Sequence, residues 1–165
     1  MPLAGTLLRL ASDPRLYLPK WTDHIMAEVS RNLQENFGLT AEQAAYRESE
    51  IGKHFGEAWV EGYEDLIPSM ANQEKDRHVL AAVRCSAETI VTYNLRDFQR
   101  PALAPYSITA QGPSTFLKNL YELDPEAVTR TLEQQAAAID KSLDYLLDRL
   151  RVNVPGFVRT LTQQK

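Results

Sequence analysis

Apolar residues recur at helical spacing at Leu3, Leu7, Leu8 and Leu10, and Asp13-Pro14 interrupts the pattern, which predicts a first helix over residues 3–11. Leu16-Tyr17-Leu18, closed by Pro19, reads as a short strand. Thr22 is placed to cap a helix whose inner face is marked by Ile25, Val29 and Leu33 and which stops at Gly38. Thr40 and Gln43 have the spacing of a capping box for the next helix, from Ala41 to about Phe55. Ala58-Trp59-Val60 reads as a second short strand, and Asp65 to Met70 as a helical turn containing Pro68.

The middle of the chain repeats this alternation. Glu74 to Ser86 is a marked helix with Val79, Leu80 and Val83 inward, Thr89 to Thr92 a short strand of the buried type, and Ser107 to Ala110 a weaker one. Short apolar strands separated by helices argue for an α/β fold with a parallel sheet. After Gln111 the strands stop. Pro113 to Leu123 and Pro125 to about Arg151 read as two helices, and Val154 to Leu161 adds a last one behind Pro155. The expected organisation is an α/β core over residues 1–111 and a helical C-terminal extension, residues 112–165, packed on the same domain. Leu132, Ala136 and Ile139 continue into Leu143, Leu146, Leu147 and Leu150 as a stripe that serves either an intramolecular core or a dimer or partner interface.

Composition narrows the class. At 165 residues, with 44% hydrophobic and 24% charged residues, the chain has the make-up of an ordinary soluble domain. No run reaches the length of a membrane span and Met1 is not followed by a signal-type segment, so a cytoplasmic location is expected. The net charge of −4 argues against a generic, tightly binding nucleic-acid module, but bound cations offset carboxylates locally and leave a nuclease open. The single Cys85 has no disulfide partner and reads as a small packing residue.

Candidate chemistry gathers where the strand Thr89–Thr92 ends in a polar loop. Residues just past the carboxyl end of a parallel strand face the crevice where ligands bind. Asn94 and Asp97 lie in that loop, and Asp76 opens the preceding helix, so all three can face one crevice. Clustered carboxylates with few other ligands suit a hard divalent cation. Each residue also has a plain structural role open to it: Asp76 as a first-turn acid, Asn94 and Asp97 as turn formers, His78 as a surface histidine. Trp59 and Tyr63 read as core and rim residues.

The segments Lys75-Asp76-Arg77-His78-Val79-Leu80-Ala81-Ala82-Val83 and Ile90-Val91-Thr92-Tyr93-Asn94-Leu95-Arg96-Asp97-Phe98 resemble the second half of a PIN domain, the fold of many metal-dependent ribonucleases, including VapC-type toxins of bacterial toxin–antitoxin pairs. The segment from Trp21 to Leu33 resembles the helix that carries the family's second acid, which maps to Glu28. The third acid maps to Asp76, and the fourth position to Asn94, with Asp97 close behind. The resemblance covers roughly residues 3 to 111. It implies a three-layer α/β/α fold, magnesium or manganese as cofactor, Glu28, Asp76 and Asp97 as metal ligands, and Asn94 beside them in the catalytic set. Arg77 or Arg96 would contact phosphate. RNA substrate, an antitoxin protein and a second copy of the chain are the implied partners.

One departure matters. PIN domains begin with a central hydrophobic strand ending in an aspartate, and the chain from Met1 to Leu10 resembles the helix that follows it. Read this way, the first central strand and its aspartate have no counterpart here, either because Met1 is internal to a longer reading frame or because the truncation is genuine. A weakly active ribonuclease is the leading expectation. The rival is a degenerate, non-catalytic PIN module that binds protein or RNA.

Overall fold

The computed structural model describes residues 2–63 and 81–163. Contacts group the chain into two compact units: Met1–Leu18, Thr89–Ala102 and Thr109–Lys165 form one, Pro19–Glu88 and Leu103–Ile108 the other.

In the first unit, helix α1 covers Pro2–Ser12 and buries Thr6, Leu10 and Ala11. The apolar triplet after it does not extend into a strand. Leu16 N–H donates to the Leu10 carbonyl at 2.9 Å and the Tyr17 hydroxyl to the Leu7 carbonyl at 2.9 Å, so the chain folds back on α1. The Tyr17 ring meets Phe116 edge to face at 4.9 Å. Both residues pack on the core instead of pairing in a sheet, and burial raises the Tyr17 phenol well above its usual pKa.

Strand β1 (Thr89–Val91) pairs in parallel with β2 (Thr109–Gln111), in the register Thr89 to Thr109, Ile90 to Ala110 and Val91 to Gln111. The parallel pairing agrees with the α/β reading. The second strand starts later than expected because Ser107 takes a left-handed conformation, φ 58°, that no extended strand accommodates. The fold is thus mixed α/β, mostly helical, with a two-stranded parallel sheet among the described residues.

The connection between the strands holds the short helix α4 (Arg100–Leu103), numbered after α2 and α3 of the second unit. The helices that follow β2 are α5 (Pro113–Leu123), α6 (Pro125–Ala137), α7 (Leu143–Arg151) and α8 (Pro155–Gln163). The single helix expected from Pro125 to Arg151 is therefore two. The first ends at Ala137, Asp140 adopts φ 52°, and the Ser142 hydroxyl accepts the Tyr145 N–H to start the second. This break leaves Ile139 half exposed, while Leu132, Leu146, Leu147 and Leu150 are buried. These four leucines of the stripe belong to the chain's own core. α1 packs against α6 and α7, so this core takes in residues from both sides of position 111.

A polar tie joins α1 to α6. The Thr6 hydroxyl, fully buried, donates to Gln135 Oε1 at 2.8 Å, and Gln135 Nε2 donates to the Pro2 carbonyl at 2.9 Å. Gly5 leaves room beside this pair: a Cβ there would stand 3.1 Å from Gln135 Nε2, tight enough that the Gln135 amide would have to give slightly. Thr6→Val keeps the shape and removes the donor, leaving a buried amide oxygen unsatisfied. We expect it to cost about 1–3 kcal/mol, read as a lower urea midpoint at unchanged slope. An unmoved midpoint would show that the tie contributes nothing net.

The second unit is built on α2 (Asp23–Phe37) and α3 (Ala41–His54), packed against each other. Both starts are as expected: Thr22 caps α2 through the Ile25 N–H, and Thr40 with Gln43 forms a reciprocal capping box for α3. Gly38 closes α2 at φ 67°, a left-handed position that favours glycine. The inner face of α2 differs from the one expected: Met26 and Leu33 are buried and Val29 is exposed. The stretch Ala58–Val60 is a single parallel bridge, Trp59 to Trp21, preceded by a 3-10 turn at Gly56–Ala58, and not a full strand. Trp21 holds it by edge-to-face contacts with Phe55 and Trp59 at 5.7 and 6.2 Å. Tyr63 is buried with Val60 and Ala81, and half-buried Cys85 packs against them, as befits a small core residue. The helix expected over Glu74–Ser86 is seen from residue 81 and closes at Ser86, φ 54°. The turn expected at Asp65–Met70 lies outside the described residues.

Candidate functional site

The end of β1 organises its own loop. The Thr92 N–H donates to the Gln111 carbonyl at 3.0 Å, carrying the ladder one residue past the strand, and the Thr92 hydroxyl accepts the Asn94 N–H at 3.0 Å. That side-chain bond ends extension at Asn94, φ −91° and ψ 66°, and Leu95–Asp97 form a 3-10 turn. The turn brings two predicted site residues together: Asn94 Nδ2 donates to Asp97 Oδ2 at 2.5 Å. The result is a carboxylate held by an amide at the mouth of a parallel strand pair, with hard oxygen donors of the kind magnesium and manganese accept. Asn94 is exposed and Asp97 half-buried.

Glu28 belongs to the second unit, on the exposed side of α2 away from Met26 and Leu33. One turn before it, His24 Nε2 stands 3.4 Å from Glu28 Oε1, an ion pair only when the imidazole is protonated. Both side chains are open to solvent, so the pair adds little to stability. Asp76, Arg77 and His78 lie outside the described residues. Among the described residues no three of His, Cys, Asp and Glu gather at metal-binding distance. A shallow groove of about 380 Å³ between α2 and α3 is lined by Ala27, Ser30, Arg31, Gln34, Glu35 and Glu48, none of them a predicted site residue.

A protein of Mycobacterium tuberculosis named "Putative ribonuclease VapC50" is 44% identical to this chain over 107 residues, 61% of this chain and 62% of that protein. The chain is similar to a VapC-type ribonuclease. It spans less than two thirds of that relative's length. No family model matches the chain, and no solved structure matches it. The identity bears out the resemblance to VapC-type PIN ribonucleases, and the parallel strand pair between helices is consistent with a PIN-like fold. Among the described residues no helix is long and apolar enough to cross a membrane.

One residue with a place at this site escaped sequence reasoning. Tyr93 stands between Thr92 and Asn94 and is 63% exposed, with its hydroxyl donating to the Asn153 carbonyl at 3.3 Å. A large aromatic directly before Asn94 at the strand's end was the available signal.

Proposed function

We propose that this protein is a metal-dependent endoribonuclease acting as the toxin of a toxin–antitoxin pair. The observation that carries the reading is the 44% identity to a VapC-type ribonuclease. The loop geometry supports it, because Asn94 and Asp97 present oxygen donors at the carboxyl end of a parallel strand. Glu28, Asp76 and Asp97 would hold the cation, with Asn94 completing the polar rim. When bound, magnesium or manganese supplies an acidified water and charge stabilisation at the scissile phosphate. Asn94 contributes by fixing one oxygen of the Asp97 carboxylate, which limits how that side chain turns. RNA and an antitoxin protein are the partners this reading implies, and the cytoplasm its compartment.

One observation favours a second reading, a degenerate module that binds RNA or protein without cutting it. Asn94 is neutral where the family's acids cluster, and its amide occupies Asp97. A cation separates the two readings. Carboxylates that converge repel one another without a counter-charge, so binding stabilises the fold by about 2.7 kcal/mol at a hundredfold excess over Kd. We therefore expect millimolar manganese to raise the melting temperature, and Asp76→Asn to abolish the rise. Cation-dependent cleavage of single-stranded RNA should accompany it. Equal melting temperatures with and without manganese in both proteins would remove the metal site, and with it the enzyme reading.

A further inference from the structure

We infer that Tyr93 is a base-stacking platform that holds a nucleotide of single-stranded RNA beside the Asn94–Asp97 edge; this rests on the ribonuclease reading and names the substrate contact within it. Tyr93 directly precedes Asn94, so its ring and the polar rim leave the same strand end. The ring is 63% exposed, and its hydroxyl donates to the Asn153 carbonyl at 3.3 Å, just past the last turn of α7. An exposed aromatic whose tip is hydrogen-bonded to backbone presents a face to solvent, and every nucleobase has a π-face to lay on it. Stacking is also tolerant of sequence.

The charge around the platform fits an anionic strand. The chain as a whole is acidic, at −4. Residues 92–100 and 148–153, which the Tyr93–Asn153 bond joins, carry four arginines (Arg96, Arg100, Arg149 and Arg151) against two aspartates, Asp97 and Asp148. All four arginines are exposed. Arg151 is shared with Asp148 at 3.0 Å, a surface pair that phosphate can compete with. Phosphate contacts position a strand while stacking fixes a base. Both sets of residues belong to the first unit.

The test measures binding of a fluorescent single-stranded RNA, and of the same strand with abasic sites, to the full chain in EDTA, which prevents cleavage. Tyr93→Ala should weaken binding of the base-bearing strand roughly 5- to 150-fold, the range set by one lost stack. It should leave the abasic strand unchanged. Tyr93→Phe should bind like the natural protein, since the ring remains, and Tyr93→Leu should behave like Tyr93→Ala, since apolar bulk without a π-face does not stack. Circular dichroism of each variant checks the fold; should Tyr93→Ala not fold, the Phe and Leu pair decides alone. Equal affinities of Tyr93→Leu and Tyr93→Phe for the base-bearing strand would overturn the platform and leave the ribonuclease reading standing. Absence of RNA binding by the natural chain, together with absence of manganese-dependent cleavage, would overturn both.

Discussion

Replacing Phe157 by alanine is expected to lower the unfolding free energy by about 3–5 kcal/mol, the largest loss of stability of any single truncation in the first unit. Phe157 is fully buried, and the core around it is drawn from Leu117, Leu132, Leu146, Leu150 and Leu161 on four helices and from Val154 just before α8. Its amide is committed as well, donating to the Ser114 hydroxyl at 2.9 Å, which pins the start of α8 to the first turn of α5. The start of α8 also lies close to α5: a Cβ at Gly156 would stand 2.9 Å from Ser114 Oγ. Natural domains hold only about 5–15 kcal/mol in reserve, so the variant should melt far below the natural chain and unfold at much lower urea. A loss under about 1 kcal/mol would mean that the helical half is looser than this packing implies.

The second large effect is on activity. Asp76→Ala should reduce RNA cleavage by roughly a hundredfold or more, since Lewis-acid stabilisation of a phosphate is worth several kcal/mol and each 1.36 kcal/mol is a factor of ten in rate. Glu28→Ala should fall in the same range, with the melting temperature in EDTA nearly unchanged, because Glu28 is exposed and its one described partner is His24 at 3.4 Å. A loss confined to Asp97→Ala, with Asp76 and Glu28 dispensable, would move the chemistry to the Asn94–Asp97 turn alone.

Much of the fold was legible wherever a local signal has a local cause. Thr22, Thr40 and Gln43 announce helix starts because their side chains satisfy backbone donors within the same turn. Leu16-Tyr17-Leu18 misled because apolar side chains say only that a segment is buried, not against what; here Leu16 and Tyr17 turn back on α1. The break between α6 and α7 was hidden by periodicity, since Ile139 keeps the stripe in phase although it is half exposed. Asp140 and Ser142, the left-handed turn and the cap, were the better guides. At the candidate site, the strand-terminal loop and the nearness of Asn94 to Asp97 follow from their spacing of three in a tight turn. Tyr93 went unread because its anchor, Asn153, is sixty residues away in sequence. The resemblance to VapC-type ribonucleases was legible in the segments around Glu28, Asp76 and Asn94, and a 44% identity to one such protein supports it.

Cleavage of a labelled single-stranded RNA by the natural chain, in manganese and in EDTA, tests the central claim most directly. The ribonuclease reading predicts internal cleavage in manganese, none in EDTA, recovery when manganese is restored, and loss in Asp76→Ala. Intact RNA in manganese with a folded protein, or cleavage that persists in EDTA or in Asp76→Ala, would contradict it.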